Sequence, residues 1–295
     1  MARLVRRAAL GLGLVVGLVV VALAGVYVTS NQRFARTWQV PASPVVAATD
    51  SAAVERGRHM VEAIGKCADC HGDDLGGKTM IDDAAMGRLY APNLTRGQGG
   101  IGARSDAELE RAIRHGLRPD GRPLLFMPAE GFQVMSDGDL ADVLAYLRTV
   151  PPVDRTGPAP RVGPMARSLY LFTKGFPLVP ADLVDHPTAS KPPVVARGAT
   201  VEYGAYLAAL GGCRSCHGDR LDGTGDPKAP NLVAATAEWQ ERDFAKALRT
   251  GTRPDGSRID PLKMPWPNSG KMTDDEIQAV WLYLRSLPAT QVAGR

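Results

Sequence analysis

Positions 8–28, AALGLGLVVGLVVVALAGVYV, run 21 residues without a charge. At about 1.5 Å per residue, a helix of that length covers the roughly 30 Å hydrocarbon core of a bilayer. Beyond it the pattern changes to short amphipathic stretches. Ser136-Asp137-Gly138-Asp139 precedes LADVLAYLRTV, and Thr273-Asp274-Asp275-Glu276 precedes IQAVWLYLRSL. Each offers a hydroxyl cap with an acid three positions on, and Pro151 and Pro288 close the two runs, so both are predicted helices. The segments ahead of Cys67 and Cys213 read as helices on Val54, Val61 and Ile64, and on Leu207 and Leu210. Alternating Val/Ile/Thr-rich runs are scarce outside 8–28, which predicts a mainly α fold with long loops.

These stretches belong to an internal duplication. Val54-Glu55-Arg56-Gly57 matches Val201-Glu202-Tyr203-Gly204, CADCHGDDLGG (67–77) matches CRSCHGDRLDG (213–223), and APNL recurs at 91–94 and 229–232. Gly116, Pro119, Asp120 and Gly121 match Gly251, Pro254, Asp255 and Gly256, followed by Met-Pro pairs at 127–128 and 264–265. Between the copies, residues 151–193 hold 10 of the 23 prolines, a density that excludes a continuous helix or central strand. The expected organisation is an N-terminal anchor or uncleaved signal at 1–28, a linker at 29–48, domains at 49–152 and 197–290, a Pro-rich linker at 153–196, and a tail at 291–295. The apolar stretch 165–180 is expected to dock across the two domains, or else to cover one of them.

The net charge of +4 changes meaning once divided. Of the 35 Lys and Arg residues, Arg3, Arg6 and Arg7 precede the apolar run with no acid beside them, leaving 32 bases against 31 acids from position 29 onward. A near-neutral body without a dense basic stripe excludes a nucleic-acid partner. The N-terminal arginines hold that end in the cytoplasm and place the remainder across the membrane. Ala22-Leu23-Ala24 has the form of a signal cleavage site, but the apolar run continues through Val26 and Val28, which favours retention.

All four cysteines fall in Cys-x-x-Cys-His, at Cys67, Cys70 and His71 and at Cys213, Cys216 and His217. That spacing lets two thiols form thioethers with the vinyl groups of a haem while the adjacent imidazole binds the iron. A redox dithiol or half of a zinc site leaves the histidine unexplained, twice. Two covalently bound haem c groups are therefore expected. A thioether suits the opposite side of the iron in an electron carrier. Met80 and Met86 have no counterpart in the repeat. Met127 and Met264 lie in Pro-rich loops and are the expected ligands; Met135 and Met272, which directly precede the helix caps, are the alternatives. His59, His115 and His186 read as surface or hydrogen-bonding residues, and Tyr146 and Tyr283 as core.

With CADCHGDDLGG, APNLTRGQGGIG, SDAELERAIRHGLRPDGRPL and SDGDLADVLAYL, the chain resembles the c-type cytochromes. It is most similar to the membrane-anchored cytochrome subunits of bacterial alcohol, aldehyde and gluconate dehydrogenases. Those subunits usually have three haem domains, where this chain has two. The two-haem subunit of cbb3-type oxidases is a second analogue. The resemblance implies two tandem class I cytochrome c domains after an N-terminal transmembrane helix, with the terminal helices of each domain crossing near the haem. It implies that the Pro92 and Pro230 carbonyls accept from the proximal histidines. The expected function is a single-electron relay, itself no enzyme, on the periplasmic side of the bacterial inner membrane. Its expected partners are a dehydrogenase, a quinol-oxidising complex or a terminal oxidase. A dihaem peroxidase is the alternative, and the Met-Pro pair in both copies argues against the open iron it needs.

Overall fold

The computed structural model describes residues 1–41, 43–223 and 229–288. An apolar helix α1 (Ala2–Phe34) leads, its helical path running past the uncharged stretch into Ser30, Asn31 and Arg33. The first domain follows with α2 (Ser51–His59), which runs on as a π-helical turn (Met60–Ile64), then α3 (Cys67–His71) and the strands β1 (Lys78–Asp83) and β2 (Gly87–Ala91). Its helices α4 (Asp106–His115), α5 (Ala129–Phe132) and α6 (Asp137–Thr149) complete it. Next come β3 (Arg161–Val162), α7 (Pro164–Phe172), a 3-10 turn (Pro180–Asp182) and α8 (His186–Ala189). The second domain comprises α9 (Val201–Leu210), α10 (Cys213–His217), α11 (Leu232–Ala235), α12 (Glu241–Thr250), α13 (Trp266–Ser269) and α14 (Asp274–Ser286). The fold is mostly helical, as its sequence patterning predicts.

In each domain the first and last helices cross, α2 over α6 and α9 over α14. The crossing requires glycine. A Cβ on Gly57 would run into the backbone carbonyl of Asp142, and one on Gly204 into that of Ala279. The helices start where the hydroxyl caps fall. Ser136 Oγ accepts from the Asp139 amide, and Thr273 and Glu276 form a reciprocal capping box. The buried faces of these helices, including Ile64, Leu140, Leu144, Leu207, Ile277 and Leu284, share one apolar core across both domains.

The domains dock in a two-fold-like manner. The short helix after each Met-Pro pair packs on the amino-terminal helix of the other domain, α5 on α9 and α13 on the π-turn at Met60–Ile64. Ser136 N donates to the Tyr206 hydroxyl (3.0 Å), which itself donates to Asp139. On the related side, His59 Nε2 meets Glu276 Oε2 at 2.8 Å. The two acids occupy the same position of the repeat.

The structure adds to two expectations. The mainly helical fold also carries a three-stranded sheet, order β1-β2-β3, all antiparallel, with β1 and β2 from the first domain and β3 from the Pro-rich segment. Its hairpin turns where Asp83 Oδ1 accepts from the amides of Ala85 and Met86 (2.8 and 2.6 Å), a local signal too short to show as alternation. The Pro-rich segment is also more than a linker. Within it Tyr170, Leu178, Val179 and Ala181 form a second core with Leu117 and Val162, joined by Phe34 and Trp38. It covers α1 and the first domain rather than bridging the two domains: Phe126 N donates to Leu178 O at 3.1 Å and Gly163 N to Met86 O at 2.9 Å.

Candidate functional site

Each Cys-x-x-Cys-His segment is a single helical turn entered from a left-handed residue, Lys66 (φ 51°) in one copy and Gly212 (φ 70°) in the other. Leaving it, the chain folds back tightly. Gly77 N donates to His71 O (2.8 Å) and Gly223 N to His217 O (2.7 Å). At the bend sit Leu75 and Leu221, both buried and both left-handed (φ 54° and 55°), an unusual conformation for leucine kept in both copies. Their carbonyls accept from Leu94 N (2.7 Å) and Leu232 N (2.8 Å), so the bend fixes where the APNL loop passes. It passes beneath the histidine. His71 Nδ1 lies 2.7 Å from the Pro92 carbonyl and His217 Nδ1 lies 2.8 Å from that of Pro230. The sequence signal for the leucines was their recurrence in GDDL and GDRL, which carries no meaning until the bend is seen.

This bond selects the tautomer with the proton on Nδ1, leaving the Nε2 lone pair for a metal. Both imidazoles are buried, and burial pushes His71 below its ordinary value while the Pro92 carbonyl pulls it partly back, so it stays neutral as a ligand must. The four thiols are not joined in disulfides. Burial pushes the Cys67 thiol up to about 12, the opposite of the acidic thiolate a redox dithiol needs. Among the described residues no three His, Cys, Asp or Glu side chains converge as a zinc site requires. Cysteines outside any disulfide beside a buried imidazole with Nδ1 engaged fit a covalently attached haem.

The methionine loops match each other in detail. Pro128 (φ −76°, ψ 58°) and Pro265 (φ −76°, ψ 54°) form inverse γ-turns, closed by Ala129 N to Met127 O and Trp266 N to Met264 O, both 2.7 Å. Met127 and Met264 are half-buried at the edge of the core, whereas Met135 and Met272 are buried inside it, ahead of the helix caps. Met80 and Met86 lie on the β1–β2 hairpin. Phe126 is left-handed (φ 64°), a constraint on the approach to Met127 that no sequence pattern announced.

The remaining histidines divide. His115, expected as a surface or hydrogen-bonding residue, is buried; its Nδ1 lies 2.9 Å from His186 Nδ1 and the rings stack. His59 bridges the domains as described. Asn93, 1% exposed, was also missed. Its Oδ1 accepts from Thr95 N (2.8 Å) and its Nδ2 donates to Val153 O (2.6 Å), tying the chain that leaves α6 to the Pro92 loop. Tyr283 is buried in the core and Tyr146 packs at its margin.

The motifs face one another across the domain junction. Lys66 Nζ, one residue before Cys67, donates to Gly211 O (2.7 Å), two residues before Cys213, and Asn268 Nδ2 donates to Asp69 Oδ1 (2.6 Å).

Comparison with known proteins agrees with this geometry. Residues 201–288 match the family described as cytochrome c, and residues 52–147 the family described as cytochrome C oxidase, cbb3-type, subunit III. The chain is 28% identical to the fructose dehydrogenase cytochrome subunit of Gluconobacter japonicus, over 86% of this chain and 57% of that one. It is 30% identical to the cytochrome c subunit of a quinone alcohol dehydrogenase of Gluconacetobacter polyoxogenes, over 81% and 57% respectively. A diheme cytochrome c-type protein of Cereibacter sphaeroides is 27% identical over 86% of this chain and 93% of its own. The chain thus spans little more than half the length of the two dehydrogenase subunits. Its two site geometries and both family matches make it a c-type cytochrome, with two cytochrome c domains in tandem that carry one haem c each, behind an apolar amino-terminal helix.

Proposed function

We propose that this protein is a membrane-tethered dihaem cytochrome that relays single electrons on the periplasmic side of the cytoplasmic membrane, as the cytochrome partner of a dehydrogenase. The observation that carries the reading is the twofold recurrence of a buried imidazole with Nδ1 on a proline carbonyl, directly after a Cys-x-x-Cys pair. Haem c, once bound, supplies reversible one-electron exchange at its iron. Cys67 with Cys70, and Cys213 with Cys216, hold it by thioethers; His71 and His217 present Nε2; Pro92 and Pro230 orient the rings. Met127 and Met264 would supply the thioether ligands: their γ-turns are alike, they border the core, and the competing methionines are used as core packing. A site closed on both sides has no position for oxygen or peroxide, so the chain makes no bond in a substrate.

The junction supports a relay between the two sites. The Lys66–Gly211 bond holds the two motifs next to each other across the junction, and the shared core leaves little freedom between the domains. Helix α1, uncleaved, tethers both to the membrane. The dehydrogenase assignment rests on the relatives named above; a quinol-oxidising complex is the other donor class, and delivery to a terminal oxidase is the acceptor end of the same relay.

Purification in mild detergent with whatever co-elutes tests this. Expected are two haem c per chain in the alkaline pyridine spectrum, and reduction of both when the substrate of the co-eluting dehydrogenase is added. Fast turnover of peroxide by the reduced protein would instead make it a peroxidase.

A further inference from the structure

Helix α7 lies against the exit end of α1. Arg167 donates to Asn31 Oδ1 (2.8 Å) and to Ser30 Oγ, with its guanidinium 4.3 Å from the Tyr27 ring and 5.1 Å from the Phe34 ring. Tyr170 stacks on Phe34 at 5.7 Å. The contacts fall on residues 27–34 of α1, and the apolar run ends at Val28. Six residues beyond it is about 9 Å of helix, the depth of the headgroup layer.

The two faces of α7 are unalike. Ala166 and Tyr170 are buried, while Met165, Leu169 and Phe172, spaced i, i+4, i+7, share another face, with Leu169 half-buried, Met165 47% and Phe172 76% exposed. The surrounding composition suits a bilayer surface. Residues 164–176 hold Arg167 and Lys174 and no acid, and Arg33 and Arg36 lie at the end of α1. Six of the chain's 17 aromatic residues, Tyr27, Phe34, Trp38, Tyr170, Phe172 and Phe176, gather here, the residue class of membrane interfaces. A solvent-facing helix gains nothing from Phe172 on its outer face, whereas one in the headgroup layer buries it.

We propose that α7 is a second membrane contact: an interfacial helix that lays Met165, Leu169 and Phe172 into the lipid headgroup layer beside α1. The inference rests on α1 being a retained membrane span. Its consequence is orientation. Helix α7 is bound to the first domain through the β2–β3 pairing and the Met165 N to Ala85 O bond (3.0 Å), so two contacts fix the height and rotation of that domain above the bilayer, where a single tether would leave it free to swing.

The test uses the full-length, haem-loaded protein in nanodiscs of phosphatidylethanolamine and phosphatidylglycerol doped with a phospholipid carrying a diazirine high on its acyl chain. After illumination, adducts are mapped by peptide mass spectrometry. Expected are adducts in residues 8–28 and also on Met165, Leu169 or Phe172; in the Met165→Asp, Phe172→Asp variant those on α7 are lost while those in 8–28 and the Soret spectrum persist. Adducts in 8–28 alone overturn the proposal and leave the anchor standing. The absence of adducts in 8–28 shows that the anchor reading itself has failed.

Discussion

Alanine at Gly57 is a sharp probe of the helix crossing. In an open helix, Gly→Ala stabilises by about 1 kcal/mol because alanine loses less backbone entropy. At Gly57 the new methyl would sit 2.5 Å from the Asp142 carbonyl carbon and 3.0 Å from Tyr146 Cβ, and closer still to the Asp142 oxygen. None of these is the end of a flexible side chain, so relief requires α2 to move off α6 by about an ångström, an overpacking cost of about 3 kcal/mol or more. Moving α2 also disturbs the bidentate Arg56–Asp142 ion pair (2.7 and 2.8 Å). The net expectation is a loss of about 2 kcal/mol, with Gly204→Ala behaving alike against Ala279. Gly138→Ala is the matched control: it lies in α6 with nothing near a Cβ, and should stabilise by about 0.5–1 kcal/mol. Urea denaturation of the oxidised holoprotein, followed by far-UV circular dichroism, should place the Gly57→Ala midpoint about 1 M below wild type. A Gly57→Ala protein as stable as the Gly138→Ala control would refute the crossing.

Other substitutions separate site from scaffold. Met127→Ala and Met264→Ala should each remove a share of the weak iron–sulfur absorption at the red edge of the visible spectrum, whereas Met135→Ala and Met272→Ala should keep it and cost about 2–5 kcal/mol of stability as buried truncations; the reverse pattern moves the ligands. Asn93→Ala leaves the Thr95 amide without its partner and the Val153 carbonyl with only its longer bond from Thr95 Oγ1, and should cost about 1–3 kcal/mol in the same melts, with the haem content unchanged. Burial pushes the Glu276 carboxyl up, but hydrogen bonds from His59 and from Thr273 outweigh it and hold the group below the ordinary carboxylate range. A depressed native value gives stability that is complete above the ordinary carboxylate range and is lost as acid protonates the folded carboxylate. Stability should therefore fall on acidification through and below about pH 4.5, and less steeply in His59→Ala.

What could be read along the chain was whatever chemistry is local. Cys67, Cys70 and His71 lie within one helical turn, so their spacing alone dictates how two sulfurs and an imidazole can meet one macrocycle. The caps Ser136 and Thr273 act within three residues, and the duplication is a matter of order. The apolar span of α1 likewise follows from length and composition. Choices that depend on distant contacts were closed to that reading. Two methionines eight residues apart occur in both copies; the Met-Pro loops and helix caps favour Met127 and Met264 along the chain, and packing adds that Met135 and Met272 are buried in the core while Met127 and Met264 border it. Gly57 and Gly204 were recurring letters until a second helix lay across them. His115 looked ordinary because its partner, His186, is 71 residues away. For the apolar segment at 165–180 the choice between docking across both domains and covering one was open, because its burial comes from α1 and the first domain. Covalent spacing and helix capping are short-range properties that sequence carries directly; which faces are covered, and by what, is decided by the tertiary fold.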